Sequence, residues 1–192
     1  GEDEFGIGGT GIIGTISGFG SIIVNGIHIN YEPDQIVESP LGEKKVEDLS
    51  IGHVVAVEAK MFNGRLVAQK LIQQIALTGR VNSVNSLSGE IEVAGEKIVI
   101  LPNSVGDSLV YDDISIGAQI AISGIRDSEA LYATHISNIS EYALPFASGN
   151  VTAIKNGQIV LDGRLSFNFP NKSQLNLNVG DFVSIQNISD SK

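Results

Sequence analysis

The sequence predicts an all-β protein made of tandem small five-stranded barrels, with the third copy truncated. Three observations carry that reading. Short anchors recur in fixed order, Asn-Gly dipeptides punctuate alternating apolar runs, and the composition favours strands and tight turns over helices. Ile, Val, Thr, Ser and Asn dominate, with 22 Gly against only 5 Pro.

The first anchor is Gly-x-apolar at the start of a strand: Gly14-Thr15-Ile16, Gly79-Arg80-Val81 and Gly149-Asn150-Val151. The second is apolar-x-Gly between strands: Val24-Asn25-Gly26, Val93-Ala94-Gly95 and Leu161-Asp162-Gly163. The third is apolar-x-apolar-Gly: Leu49-Ser50-Ile51-Gly52, Ile114-Ser115-Ile116-Gly117 and Leu177-Asn178-Val179-Gly180. Order and spacing hold across all three copies, which chance matches would not do. A fourth anchor, Val67–Leu71 against Tyr132–Ile136, occurs only twice, because the third copy stops before reaching it.

Each copy reads as two hairpins joined by a longer connection. In copy one, strands Ile12–Ser17, Ser21–Val24 and Ile27–Tyr31 precede strands His53–Lys60 and Arg65–Ile75. Asn25-Gly26 and Asn63-Gly64 close its hairpins, since a two-residue turn there needs φ > 0 at both positions. Copy two repeats the pattern as Leu77–Val84, Gly89–Val93, Lys97–Leu101, Gln119–Ile125 and Ala130–Ile139. The connection before strand four is the longest and most variable; in copy one, Gly42–Leu49 has room for a turn of helix. Five strands with a glycine curling the first fit an OB-like barrel, which is favoured over the competing β-sandwich.

The modules follow as a flexible, acidic, Gly-rich leading segment 1–10, repeats 11–76 and 77–142, and a partial repeat 143–192. No Gly/Ser linker separates the first two repeats (Leu71–Gly79), which predicts stiff coupling. Repeat 3 shows no fifth strand after Asn187, which leaves an edge for the N-terminal segment, a second molecule or downstream sequence to cover; open edges invite pairing, including self-association into oligomers.

The function classes narrow by exclusion. A formal charge of −10 repels phosphate backbones, so generic nucleic-acid binding is disfavoured. There is no Cys, hence no thiolate or disulfide chemistry. No apolar run is long enough to span a bilayer. Gly6–Gly11 matches the dinucleotide fingerprint GxGxxG, but neither a preceding strand nor a following helix is predicted. His28, His53 and His135 lack metal-ligand spacing and read as surface residues, with His28 on the solvent face between Ile27 and Ile29. Asp112-Asp113 and Glu47-Asp48 read as turn-capping acids rather than cation ligands. No nucleophile elbow, Walker loop or zinc-protease motif occurs. No catalytic, cofactor-binding or metal-ligating residue is assigned, and the chain is read as no enzyme. The aromatic residues near strands two and three, Phe19, Tyr31, Phe167 and Phe169, are the candidate ligand or partner surface.

The stretch Gly6–Gly11, followed by Gly14-Thr15-Ile16-Ser17-Gly18-Phe19-Gly20-Ser21-Ile22-Ile23-Val24-Asn25-Gly26, resembles a family of uncharacterised repeat domains in exported bacterial proteins, often lipoproteins. Asp48–Glu58 matches a later element of that family, with Glu58 where Gly is more usual, and Asp113–Gly124 repeats it. The resemblance implies periplasm or cell surface. It brings no catalytic residues. Gly1 followed by Glu2-Asp3-Glu4 looks like a processed or trimmed N-terminus, explained equally by a removed signal peptide or a cloning remnant, and leaves room for a lipid anchor upstream.

The resulting expectation is a non-catalytic binding or scaffold module of the cell envelope, with a protein or glycan partner and no cofactor. The alternatives are an OB-type oligosaccharide- or nucleic-acid-binding protein and a small hydrolase.

Overall fold

The computed structural model describes residues 10–101, 111–169, 176–186 and 188. The chain is all-β and forms two compact units, Gly1–Gln74 and Ile75–Lys192.

The first unit contains β1 (Thr10–Gly18), β2 (Ile22–Val24), β3 (Ile27–Ile29), β4 (Ile36–Glu38), β5 (Lys44–Lys45), β6 (Val54–Phe62) and β7 (Arg65–Gln74). β1 pairs antiparallel with β2 through its C-terminal half and with β6 through its N-terminal half. β6 and β7 form a long hairpin, bulged between Glu58 and Ala59. The ring closes where Asn30, just past β3, bridges Val67 in parallel; Asn30 N–H donates to Leu66 O and Ala68 N–H to Asn30 O, both at 2.8 Å. Third strand parallel to fifth, with the first strand serving both halves, is OB topology. Inward residues such as Ile16, Ile22, Val24, Ile29, Val55 and Leu71 are buried together.

In the second unit, β8 (Leu77–Asn85), β9 (Glu90–Val93), β10 (Glu96–Ile100), β11 (Gln119–Arg126) and β12 (Leu131–Asn138) close the same ring. β10 runs parallel to β12, and β11 returns to β8 from Gln119↔Arg80 to Ile122↔Leu77. The third copy follows as β13 (Phe146–Lys155), β14 (Gln158–Leu161), β15 (Leu165–Asn168) and β16 (Phe182–Gln186), in spatial order β15-β14-β13-β16. Among the described residues no strand lies between β15 and β16.

Two sequence readings need correction. The connection in copy one does hold a 3-10 turn at Val46–Asp48, but it also contributes β4 and β5, with β4 running parallel to β7 at Val37↔Leu71. Strands of two and three residues are too short for alternation to announce them. Repeats 2 and 3 fall in one compact unit, where Phe146 and Ala147 of β13 pair with Thr78 and Leu77 of β8. His53 and His135 are buried rather than on the surface, although His28 is exposed. The reading of the leading segment falls mostly on residues 1–9, outside the described residues; Thr10 already belongs to β1.

The three sequence anchors meet in space. Gly52, Gly117 and Gly180, at φ of 94°, 87° and 98°, donate their N–H groups to the carbonyls of Ile16, Val81 and Val151 at 2.9, 2.8 and 2.8 Å. In return, Ile16, Val81 and Val151 donate to the carbonyls of His53, Ala118 and Asp181. The first-strand glycines answer a different need. A Cβ on Gly14 would lie 2.5 Å from Asn25 Oδ1, one on Gly79 would lie 3.0 Å from Val93 Cγ1, and one on Gly149 would strike the Asp162 carboxylate. The glycine is therefore demanded by the close approach of the β2–β3 turn, whereas the bulge falls later, between Ile16 and Gly18 and at the matching positions Val81/Ser83 and Val151/Ala153.

Gly14→Ala is expected to destabilise the first unit by about 1–3 kcal/mol through overpacking against Asn25, whose Nδ2 is held by Ile13 O at 2.9 Å. Urea unfolding reads this as a lowered midpoint, and adding Asn25→Gly should restore most of it. An unchanged midpoint for the single variant would remove the contact as the reason for the glycine.

Candidate functional site

The chemistry of the second unit concentrates where repeats 2 and 3 meet. Arg126 closes the β11–β12 hairpin, and Glu96 opens β10. The hairpin is held by Asp127, whose Oδ1 accepts the N–H groups of Glu129 and Ala130 at 2.7 and 3.0 Å. Those two bonds keep the Asp127 carboxyl below the ordinary aspartate range.

Arg126 then reaches inward and uses all five of its N–H donors. Nε bonds Glu96 Oε1 at 2.6 Å and Nη2 bonds Glu96 Oε2 at 3.2 Å, a bidentate pair. Nη1 donates to Asp162 Oδ2 at 2.7 Å and to Ser148 O at 2.8 Å, and Nη2 donates to Ala76 O at 3.0 Å. Both side chains of the bidentate pair are almost fully buried, at 1% and 2% exposure. Two charges in so dry a place are tolerated only when paired and fully hydrogen-bonded, and here they are. Asp162 belongs to the β14–β15 turn and Ser148 to β13, so one guanidinium ties the second barrel to the third copy.

Beside this network lies a cleft of about 630 Å³. Leu165, Phe167 and Phe169 line one side, Ile185 and Ile188 line another, and Arg164 and Glu96 also contribute to the lining. Arg164 Nη1 is 3.7 Å from Glu96 Oε1, an ion pair without a hydrogen bond, and that buried nitrogen has no hydrogen-bond partner among the described residues.

The cleft lies between β15 and β16 of the third copy and repeat 2, whose Leu77, Ala94, Gly95 and Glu96 also line it. Cross-strand register equates Phe167 with Ile98, since each faces the matching isoleucine of strand two (Ile159 and Ile91). It equates Val183 and Ile185 with Ile120 and Ile122. The three residues of repeat 2 are fully buried, whereas those of repeat 3 are only half-buried. The difference is β12, which covers the second barrel.

Of the aromatic candidates, Phe167 and Phe169 line this cleft. Tyr31 packs against the first unit's core, and Phe19 is exposed in the β1–β2 turn, so the set does not gather at one site. The Arg126–Glu96 network escaped sequence reading. Its one signal lies in comparing copies: the equivalent positions in repeat 1 are Met61 and Ile27, so a charge pair replaces an apolar pair.

The histidines serve local structure. His53 Nδ1 accepts the Ser50 N–H at 3.0 Å. Ser21 Oγ and His28 Nδ1 lie 3.0 Å apart, but on an exposed hairpin that offers a reaction no shelter from water. The fingerprint glycines Gly6 and Gly8 lie outside the described residues, and Gly11 sits in a strand where the dinucleotide motif needs a helix. Among the described residues, no three His, Asp or Glu side chains are grouped to hold a metal ion, and no helix is long and apolar enough to cross a membrane.

A family model described as Domain of unknown function (DUF5666) matches residues 10–71 and 78–137, the two closed barrels, and the chain belongs to that family. No curated protein and no solved structure matches it.

Arg126→Met strands a buried carboxylate at Glu96 and is expected to cost about 3–5 kcal/mol in chemical unfolding of the second unit. Pairing it with Glu96→Leu removes the stranded charge and should recover most of that loss. Equal destabilisation by the single and the double variant would show that packing, not charge, holds the joint.

Proposed function

We propose that this member of the family is a non-catalytic binding or scaffold module of the bacterial cell envelope, and that its ligand occupies the cleft of repeat 3. The observation that carries the reading is a cleft of mixed polar and apolar lining beside a buried ion network. Concave sites with apolar walls and a few placed polar groups are the usual form of binding sites. Here Leu165, Phe167, Phe169 and Ile185 supply the apolar part of the lining, and Glu96, Arg164, Ser166, Asn168 and Gln186 the polar part. Export rests on the resemblance of the Gly6–Gly26 stretch to domains of exported proteins.

A glycan is the second ligand class, favoured by one observation: Phe167 and Phe169 share a face of the cleft, and OB-like barrels bind oligosaccharides. The charge of −10 argues against nucleic acid.

The absence of Cys allows a direct test. Ser166 is exposed and lines the cleft, so Ser166→Cys offers a single labelling point there. A panel of peptides and glycans screened by thermal shift should yield ligands that raise the melting temperature of the unlabelled protein. A bulky maleimide on the new cysteine should abolish that shift. Binding that survives the label, or turnover of any ligand, would overturn the reading.

A further inference from the structure

We infer that the outer edge of β1 is a self-association surface, where a second copy of this chain pairs antiparallel, Ile12 opposite Ile12, to give a two-fold dimer. The inference stands apart from the cleft and its ligand.

The joint between repeats 2 and 3 shows what such an edge accepts. There β13 pairs antiparallel with β8, Ala147 opposite Leu77 and Phe146 opposite Thr78, and Ser148 N–H donates to Ala76 O at 2.9 Å. Leu77 and Ala147 hold the same position of strand one, two residues before Gly79 and Gly149. Equal positions of two equal strands face each other antiparallel about a local two-fold axis. The backbone of this joint is therefore an isologous contact between two copies of strand one.

Repeat 1 presents the same edge uncovered. β1 takes β6 on one edge from Thr10 to Thr15, and on the other it takes β2 only at Ile16 and Gly18. Among the described residues no strand pairs with this second edge at Gly11–Ile13. Ile13 is 61% exposed, whereas Thr78 and Ser148 at its position in the other copies are buried. Ile27 and Met61 are exposed too, where repeat 2 buries Glu96 and Arg126 under the third copy.

Three properties make a second copy the occupant. The complement of this edge is itself, and since β8 and β13 already take each other, the first strand left for β1 is that of another copy. Gly11 has no atom within 4 Å of where a Cβ would stand, which leaves room for Ile13 of the second copy, opposite it in this register. The face also carries no charge. In the joint Arg126 reaches across to Asp162 Oδ2 and Ser148 O; carried to repeat 1, Met61 meets Asn25 and Ile13 of the second copy. A chain of charge −10 associates with itself most readily through such a neutral patch. Edge strands that stay single are blunted by Lys, Pro or inward charges, and Thr10–Gly14 has none of these.

Sedimentation velocity of the 192-residue protein is expected to show a reversible monomer–dimer equilibrium. Amide protection at Ile13 should rise with the dimer fraction. Ile13→Lys, at an exposed position, should weaken the dimer by roughly tenfold or more with the urea midpoint unchanged. Ser166→Lys in the cleft should leave the dimer as it was. A monomer at every concentration overturns the inference, as do a dimer indifferent to Ile13→Lys, a dimer lost through Ser166→Lys, and assemblies that grow beyond two. A protein that dimerises through β1 and binds no ligand loses the cleft reading and keeps this one.

Discussion

The barrel hangs on one residue of its first strand. Ile16, Val81 and Val151 each place both backbone groups on the turn that launches strand four, and each sits at the bulge where strand one leaves its fourth-strand partner for its second. That exchange of partners lets a flat pair of hairpins become a closed ring. The turn can answer only because its glycine adopts a positive φ near 90°, which a side chain would strain. The first-strand glycine, two residues earlier, lets the β2–β3 turn fold down onto the same strand. Three motifs scattered through some forty residues are therefore one contact, which explains why they keep their order in every copy.

This also explains what could be read without coordinates. Hairpins announce themselves locally: Asn25-Gly26, Asn63-Gly64 and Ala94-Gly95 all take positive φ at both positions, and the strands around them alternate. The clamp announces itself through repetition. The parallel closure of β10 on β12 has no local signature, because it joins residues far apart and is read only from the topology of five-stranded barrels. β4 and β5 are too short to alternate. The walls of the cleft needed register, since only pairing shows that Phe167 stands where Ile98 stands.

The Arg126 network belongs to a different class of constraint. A buried ion pair is weak evidence for stability, because desolvation offsets most of its attraction, and an apolar pair serves as well where geometry is undemanding. Repeat 1 has the apolar residues Ile27 and Met61 at these positions. What the charged pair adds is direction. Five donors in a rigid plane are met by Glu96, Asp162, Ser148 and Ala76 at once, and only one placement of β13 and the β14–β15 turn satisfies them. Gly149 is part of the same fit, since the space its missing Cβ leaves is taken by the Asp162 carboxylate. The network thus defines the angle at which repeat 3 leans on repeat 2.

That lean keeps the cleft open. Leu165 and Phe167 pack against the core of repeat 2 as well as against their own, which fixes the wall of the cleft that they form. The energetics then set the kind of binding to expect. Completing the burial of Phe167, Phe169, Val183 and Ile185 yields roughly 1 kcal/mol each. That sum of about 4 kcal/mol barely meets the lower end of the cost of association. The surplus has to come from polar contacts, for which the Arg164 Nη1 in the lining is a placed donor.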